Sequence, residues 1–185
     1  MKYDYNLTPD ETETLRAMRS KRLVSYRLND TDNTSFELFV LRLEDVDIEI
    51  ATREIAGTDD WFDETNVVEV RRRPNRDSWS RIGESYPPDG IAPGGFMDYR
   101  VDEVVTGVSV AVDSFSCGQE TGEYVRGIVI ETKTRSFVFD KGELNWQEIW
   151  RVRECPLGTA NFATAEFDPE ELPDLGAKTR IERIC

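Results

Sequence analysis

The chain contains no histidine. That absence removes the commonest general base and the commonest metal ligand, and it excludes Ser-His-Asp and Cys-His catalysis within this chain. Cysteine is scarce: Cys117, Cys155 and Cys185 are widely spaced, and no Cys-x-x-Cys pair occurs. The pattern fits inert thiols in a reducing compartment rather than a disulfide framework or a zinc site, while leaving a Cys117–Cys155 bridge open. Neither Gly-x-Gly-x-x-Gly nor Gly-x-x-x-x-Gly-Lys-Ser/Thr is found, so no nucleotide fingerprint is present. No apolar run approaches the roughly 18 residues of a membrane-spanning helix. Met1 to Leu7 is polar and lacks a signal-peptide core. These absences lead to the expectation of a cytoplasmic protein without cofactor or metal.

Positive charge is also in short supply. Lys and Arg number 23 against 37 Asp and Glu, for a formal charge of −14. A field of that sign repels nucleic-acid phosphates and anionic membranes and favours a basic partner; it also serves solubility, and many bacterial cytosolic proteins share it. Hydrophobic residues make up 38%, which is low, yet 10% of the chain is aromatic, which argues for a folded core. At 185 residues the chain suits one large domain or two small packed halves, with no need of a disulfide or metal.

What is present is strand signal. From Glu103 to Glu154 four apolar-alternating runs are parted by turn residues: Val104–Val112, Tyr124–Ile130, Ser136–Phe139 and Glu148–Arg153. The same cadence occurs earlier, in Leu23–Leu28, Phe36–Leu43, Val46–Ile50 and Asn66–Arg73. Phe36–Leu43 is apolar on both faces, as in a strand covered twice or bulged midway. In Val46–Ile50 the alternation places Val46, Ile48 and Ile50 inward and Asp47 and Glu49 outward. The expected fold is therefore mainly β, an antiparallel sandwich or barrel, with one N-terminal α-helix. It forms a single domain over 1–185 in which units 22–73 and 102–155 are either duplicated or two independent meanders of similar spacing.

The helix is expected over Leu7–Ser20. Thr8 caps it, Pro9 suits its first position, and Glu11 completes a capping box. Leu15 and Met18 supply a thin apolar stripe. Between the units, 74–101 is rich in proline and glycine and cannot be a long helix or a central strand. A connection of that length in a compact domain is usually functional or disordered, and its Trp79 and Tyr86 are the aromatic anchors expected of a binding loop. The tail, 156–185, is irregular and acidic, with a last short strand expected over Lys178–Ile184.

No constellation of residues carries catalysis. The acids Asp59, Asp60 and Asp63 cluster around Trp61, but a glycosidase-type pair needs a defined separation and one desolvated member, which spacing does not supply. Arg71-Arg72-Arg73 is the densest basic run, and cross-strand carboxylates account for it better than a phosphate ligand does. The capped N-terminal helix, short strands and acidity resemble, in general character, the small immunity proteins that neutralise bacterial toxins, although no motif carries a functional residue across. The leading expectation is an acidic non-enzymatic binding protein for a basic partner protein. Asp47, Glu49, Asp59, Asp60 and Asp63 are its steering charges, and Trp79 and Tyr86 its anchors. Its rivals are a structural or assembly subunit of a phage or secretion particle and a hydrolase working with carboxylates alone.

Overall fold

The computed structural model describes residues 2–29, 38–56, 64–73, 96–117, 120–141, 150–162 and 178–185. They form β1 (Lys2–Tyr5), α1 (Pro9–Arg16), β2 (Arg22–Asn29), β3 (Leu38–Leu43), β4 (Asp47–Ala56) and β5 (Glu64–Arg73). There follow β6 (Phe96–Val104), β7 (Gly107–Cys117), β8 (Glu120–Glu131), β9 (Arg135–Asp140), β10 (Arg151–Pro156) and β11 (Lys178–Arg183).

Two antiparallel sheets pack as a sandwich. The first has the order β5-β4-β3-β2-β6, the second β10-β9-β8-β7-β11, with β1 added in parallel beside β8. Each sheet is thus a four-strand meander whose fifth strand returns beside the first. The shared path follows from short connections: consecutive antiparallel strands pair most readily with their chain neighbours.

Period-two side-chain alternation builds the core. Phe39, Leu41 and Leu43 of β3, Ile48 and Ile50 of β4, and Val68 and Val70 of β5 face Val108, Val110 and Val112 of β7, Ile128 and Ile130 of β8, and Phe137 and Phe139 of β9. Aromatic contacts register the two sheets. At one end Phe39 stacks on Phe139 at 4.2 Å and meets Trp150 edge-on at 5.0 Å. At the other, Glu103 of β6 accepts hydrogen bonds from Thr132 (2.7 Å) and Arg135 (2.9 Å). β3 is buried on both faces, since Leu38 and Val40 form a second small cluster with Ala51 behind the main core.

The helix is shorter than the periodicity predicts, Pro9–Arg16 with turns to Ser20, because Ser20 and Lys21 bond Val105 through their backbones and pull the chain into β2. The Thr8–Glu11 capping box forms, and Leu15 and Met18 are fully buried. Two strands differ from the sequence reading, and the open cysteine pairing is decided. Phe96–Val104 is a strand, so the Pro/Gly-rich connection ends before 101, and β6 is held by pairing along the whole of β2. Lys2–Tyr5 is a strand despite its polarity, because pairing with Thr121–Tyr124 satisfies its backbone. Cys155 is a free thiol, so no Cys117–Cys155 bridge closes.

Candidate functional site

The outward acids of β4 are not at the surface. Asp47 is fully buried and Glu49 is 3% exposed. Antiparallel register sets Glu49 opposite Arg71 and Asp47 opposite Arg73, with Arg42 on the other flank. Arg73 donates two hydrogen bonds of 2.7 Å to Glu49, and Arg42 lies 3.6 Å from Asp47. Alternation correctly puts these carboxylates on the face away from the main core, but that face is itself covered. Asp47 and Glu49 are therefore structural ion-pair members, not steering charges. The arginine run is explained by the same pairs, with Arg71 on Glu69 and Glu49. Asp59, Asp60, Asp63, Trp79 and Tyr86 lie outside the described residues.

The location of the charge excess is decisive. Among the described residues acidic and basic side chains are equal in number, so the scaffold is formally neutral. The entire −14 excess falls in the connecting segments 30–37, 57–63, 74–95, 142–149 and 163–177. The described residues that flank these segments gather at the Phe39–Phe139 end of the sandwich. Asn29 pairs with Phe96 there, β4 and β5 end on the Ala56–Glu64 pair, Asp140 pairs with Arg151, and Lys178 pairs with Ser114. Only 74–95 leaves from the opposite end, after Arg73, which pairs with Asp47, and it rejoins the sheets at this one. No known protein family, curated protein or solved structure matches this chain.

A second charged group lies on the outer face of the other sheet, and the sequence reading missed it. β8 carries a bulge: Ala111 pairs with Gly127 and Val112 with Val125, which leaves Arg126 as the extra residue on the outer face. There its guanidinium lies 3.2 Å from Asp140 and 3.7 Å from Asp113, donates to Thr179 at 3.3 Å, and carries the Phe162 ring at 5.4 Å. Tyr124 donates to Asp113 at 3.1 Å, and the Lys141 ammonium sits 5.7 Å from the Tyr124 ring centre. Asp113 and Lys141 are fully buried and Arg126 nearly so. Burial pulls the Lys141 amine down to about 7, close to neutrality. A carboxylate pair that cleaves a glycoside needs an open cleft, and here both carboxylates face a buried arginine. The group ties four strands together across the bulge, β7, β8, β9 and β11. One signal was legible: Asp113, Arg126 and Asp140 each interrupt or end an otherwise apolar strand.

The described surface also holds a concavity of about 410 Å³ between β1, the start of α1 and β5. It is lined by Asp4, Asn6, Thr8, Glu11, Arg53 and the run Val67–Val70. Glu11 spans it: one carboxylate oxygen accepts from the Thr8 N–H at 2.8 Å and the other from the Val70 N–H at 3.0 Å. Among the described residues no group of three or more Asp, Glu, Cys or His could hold a metal ion. No helix there is long and apolar enough to cross a membrane.

Proposed function

We propose that this protein is an acidic, non-enzymatic binding protein that sequesters a basic partner protein in the manner of an immunity protein or inhibitor. The observation that carries the reading is the division of charge: the described strands and helix are formally neutral, and the whole acidic excess lies in the connecting segments. Charge needed only for solubility is under no pressure to be sorted this way. An acidic excess carried by the connections rather than by the scaffold steers a cationic partner toward them, raising the association rate steeply at low salt. Asp59, Asp60 and Asp63 belong to this excess, and Trp79 and Tyr86 stand in the longest such segment. They take the roles of steering charges and aromatic anchors.

Affinity capture from the native cell, with partners identified by mass, is the first test. A basic protein enriched at unit stoichiometry is expected. Stopped-flow association of the triple variant D59N/D60N/D63N with that protein should then be slower by about tenfold at low salt, with a flatter salt dependence. An unchanged rate, or capture of copies of this chain alone, overturns the reading; the second result would favour an assembly subunit.

A further inference from the structure

We propose that the outer edge of β11 is a self-association edge. Two copies of this chain pair β11 against β11, antiparallel about a two-fold axis at Ile181, and join their second sheets into one. The inference does not rest on the basic-partner reading, whose own test is the capture of a different protein.

Three observations carry it. First, the edge is open. β11 ends its sheet, and Thr179, Arg180, Ile181, Glu182 and Arg183 are all exposed. Ile181, at 50%, is the most exposed large hydrophobic side chain among the described residues. The outer strands β5, β6 and β10 are each interrupted instead. Glu11 holds β5 at Val70, Asp102 breaks β6 with a φ of 61°, and β10 closes in Pro156 with Arg153 bound to the Asn161 carbonyl. Second, the outward groups of β11 are in step. The Ile184 N–H donates to the Val108 carbonyl of β7 at 2.8 Å, so Arg180 and Glu182, at the same parity, also turn their N–H and C=O toward β7. Thr179, Ile181 and Arg183 therefore turn theirs outward, where no hydrogen bond among the described residues takes them up. Third, the strand is complementary to itself. With the axis at Ile181, the two Ile181 side chains meet, Arg180 of either copy meets Glu182 of the other, and Thr179 of either meets Arg183 of the other.

The outward residues of the two copies then form about six backbone hydrogen bonds across the axis. Moving the axis by one residue sets Arg180 against Arg180 or Glu182 against Glu182, so charge order selects the register centred on Ile181. Arg180 also pairs with Glu123 and Glu182 of its own copy, at 2.7 and 2.6 Å, and Arg183 lies 3.3 Å from Glu131. Both arginines thus arrive already neutralised, and the contacts across the axis fix the register more than they add affinity. Charged side chains blunt an edge against an unrelated strand. Those of β11 match a reversed copy of themselves, and neither a proline nor a bulge interrupts the strand.

The test uses the full chain, ¹⁵N-labelled, in sedimentation velocity between about 1 and 500 μM, at about 0.15 M salt to screen repulsion between two acidic copies. One strand pair is a small interface, so monomer is expected at the low end and dimer at the high end. Dimerisation should slow hydrogen exchange about fivefold at the Thr179, Ile181 and Arg183 amides and leave the Arg180 and Glu182 amides, already bonded to β7, unchanged. I181P deletes only an outward N–H, which an edge strand tolerates, and should abolish the dimer. R180E sets Glu against Glu and should weaken it by about tenfold, and R180E/E182R should restore it. These last two variants alter exposed side chains alone, so they decide the question even if I181P fails to fold. A monomer at the highest concentration overturns the proposal. So does a dimer that R180E leaves as tight as wild type, or one that forms without protecting the three outward amides.

Discussion

Glu11, in the first turn of α1, accepts a hydrogen bond of 3.0 Å from the backbone N–H of Val70 in β5. The same carboxylate closes the capping box by accepting from the Thr8 N–H. One side chain therefore satisfies a helix start and part of a sheet edge, and it pins the helix to the sandwich. E11A removes both bonds and leaves two backbone donors short of a partner. It should lower stability by about 2 kcal/mol, more than a cap alone. E11Q retains an acceptor oxygen and should recover about half the loss. Urea unfolding of the three proteins checks this, and an E11A loss no greater than that of T8A would show the Val70 bond to be idle.

Glu49 stands nearly buried between Arg71 and Arg73, and its role is to hold β4 against β5. Removing it strands two arginines at a covered face. E49A should cost about 2–3 kcal/mol, below the full penalty of a buried pair because both arginines are partly exposed. The folded fraction of E49A should bind the captured partner at the wild-type rate. A slower association without loss of stability would restore Glu49 to the docking surface.

The contrast between Glu49 and Ile50 shows what the sequence could and could not reveal. Alternation is local, so it predicts which residues share a face, and Ile48 and Ile50 are indeed in the core. Whether the opposite face meets water depends on what lies over it, and that is a long-range fact. The capping box at Thr8 was legible for the same local reason, as were the strands of the two meanders in type and approximate position, with β4 running on to Ala56 and β10 shifted to Arg151–Pro156. β1 and β6 were not, because their stability comes from pairing with β8 and β2 rather than from their own patterns. The bulge at Arg126 was hidden too. A single extra residue changes the face of everything before it, and no composition marks it. The charge division became visible only once the strand ends were placed.

Gly127 sits beside that bulge with no room for a side chain. A methyl group there would meet the Phe139 carbonyl oxygen and the Phe162 ring that lies over Arg126. The carbonyl belongs to a paired strand and cannot move freely, so relief must come from displacing Phe162. G127A should cost about 2 kcal/mol as an overpacking defect. F162A alone should cost about 1 kcal/mol through the lost cation–π contact and burial. In the double variant G127A/F162A the glycine effect should shrink by about half, leaving the carbonyl clash. A double-mutant cycle by chemical denaturation measures this coupling, and strict additivity would mean that the ring does not constrain the glycine.

Lys141 gives the fold a pH dependence of predictable sign. Its ordinary value is 10.5, and burial lowers it in the folded chain to about 7. Below about 7 the amine is protonated in both states, and the folded chain carries the full penalty of a buried ammonium without pH dependence. Between the two values the folded chain releases a proton that the unfolded chain keeps, so the unfolded state binds more protons and stability rises with pH. The limiting slope is about 1.4 kcal/mol per pH unit, and the rise ends near the unfolded value. K141M keeps the length of the stem and its packing but cannot titrate. It should be more stable than wild type at pH 6.5, and that advantage should shrink steadily to pH 9.5. Taking the difference between the two proteins cancels the tyrosines and thiols that titrate in both. Paired urea denaturation at pH 6.5, 8 and 9.5 provides the measurement. A constant difference across that range would mean that Lys141 keeps its proton in the folded chain, held there by the carboxylates of Asp113 and Asp140 rather than driven off by burial.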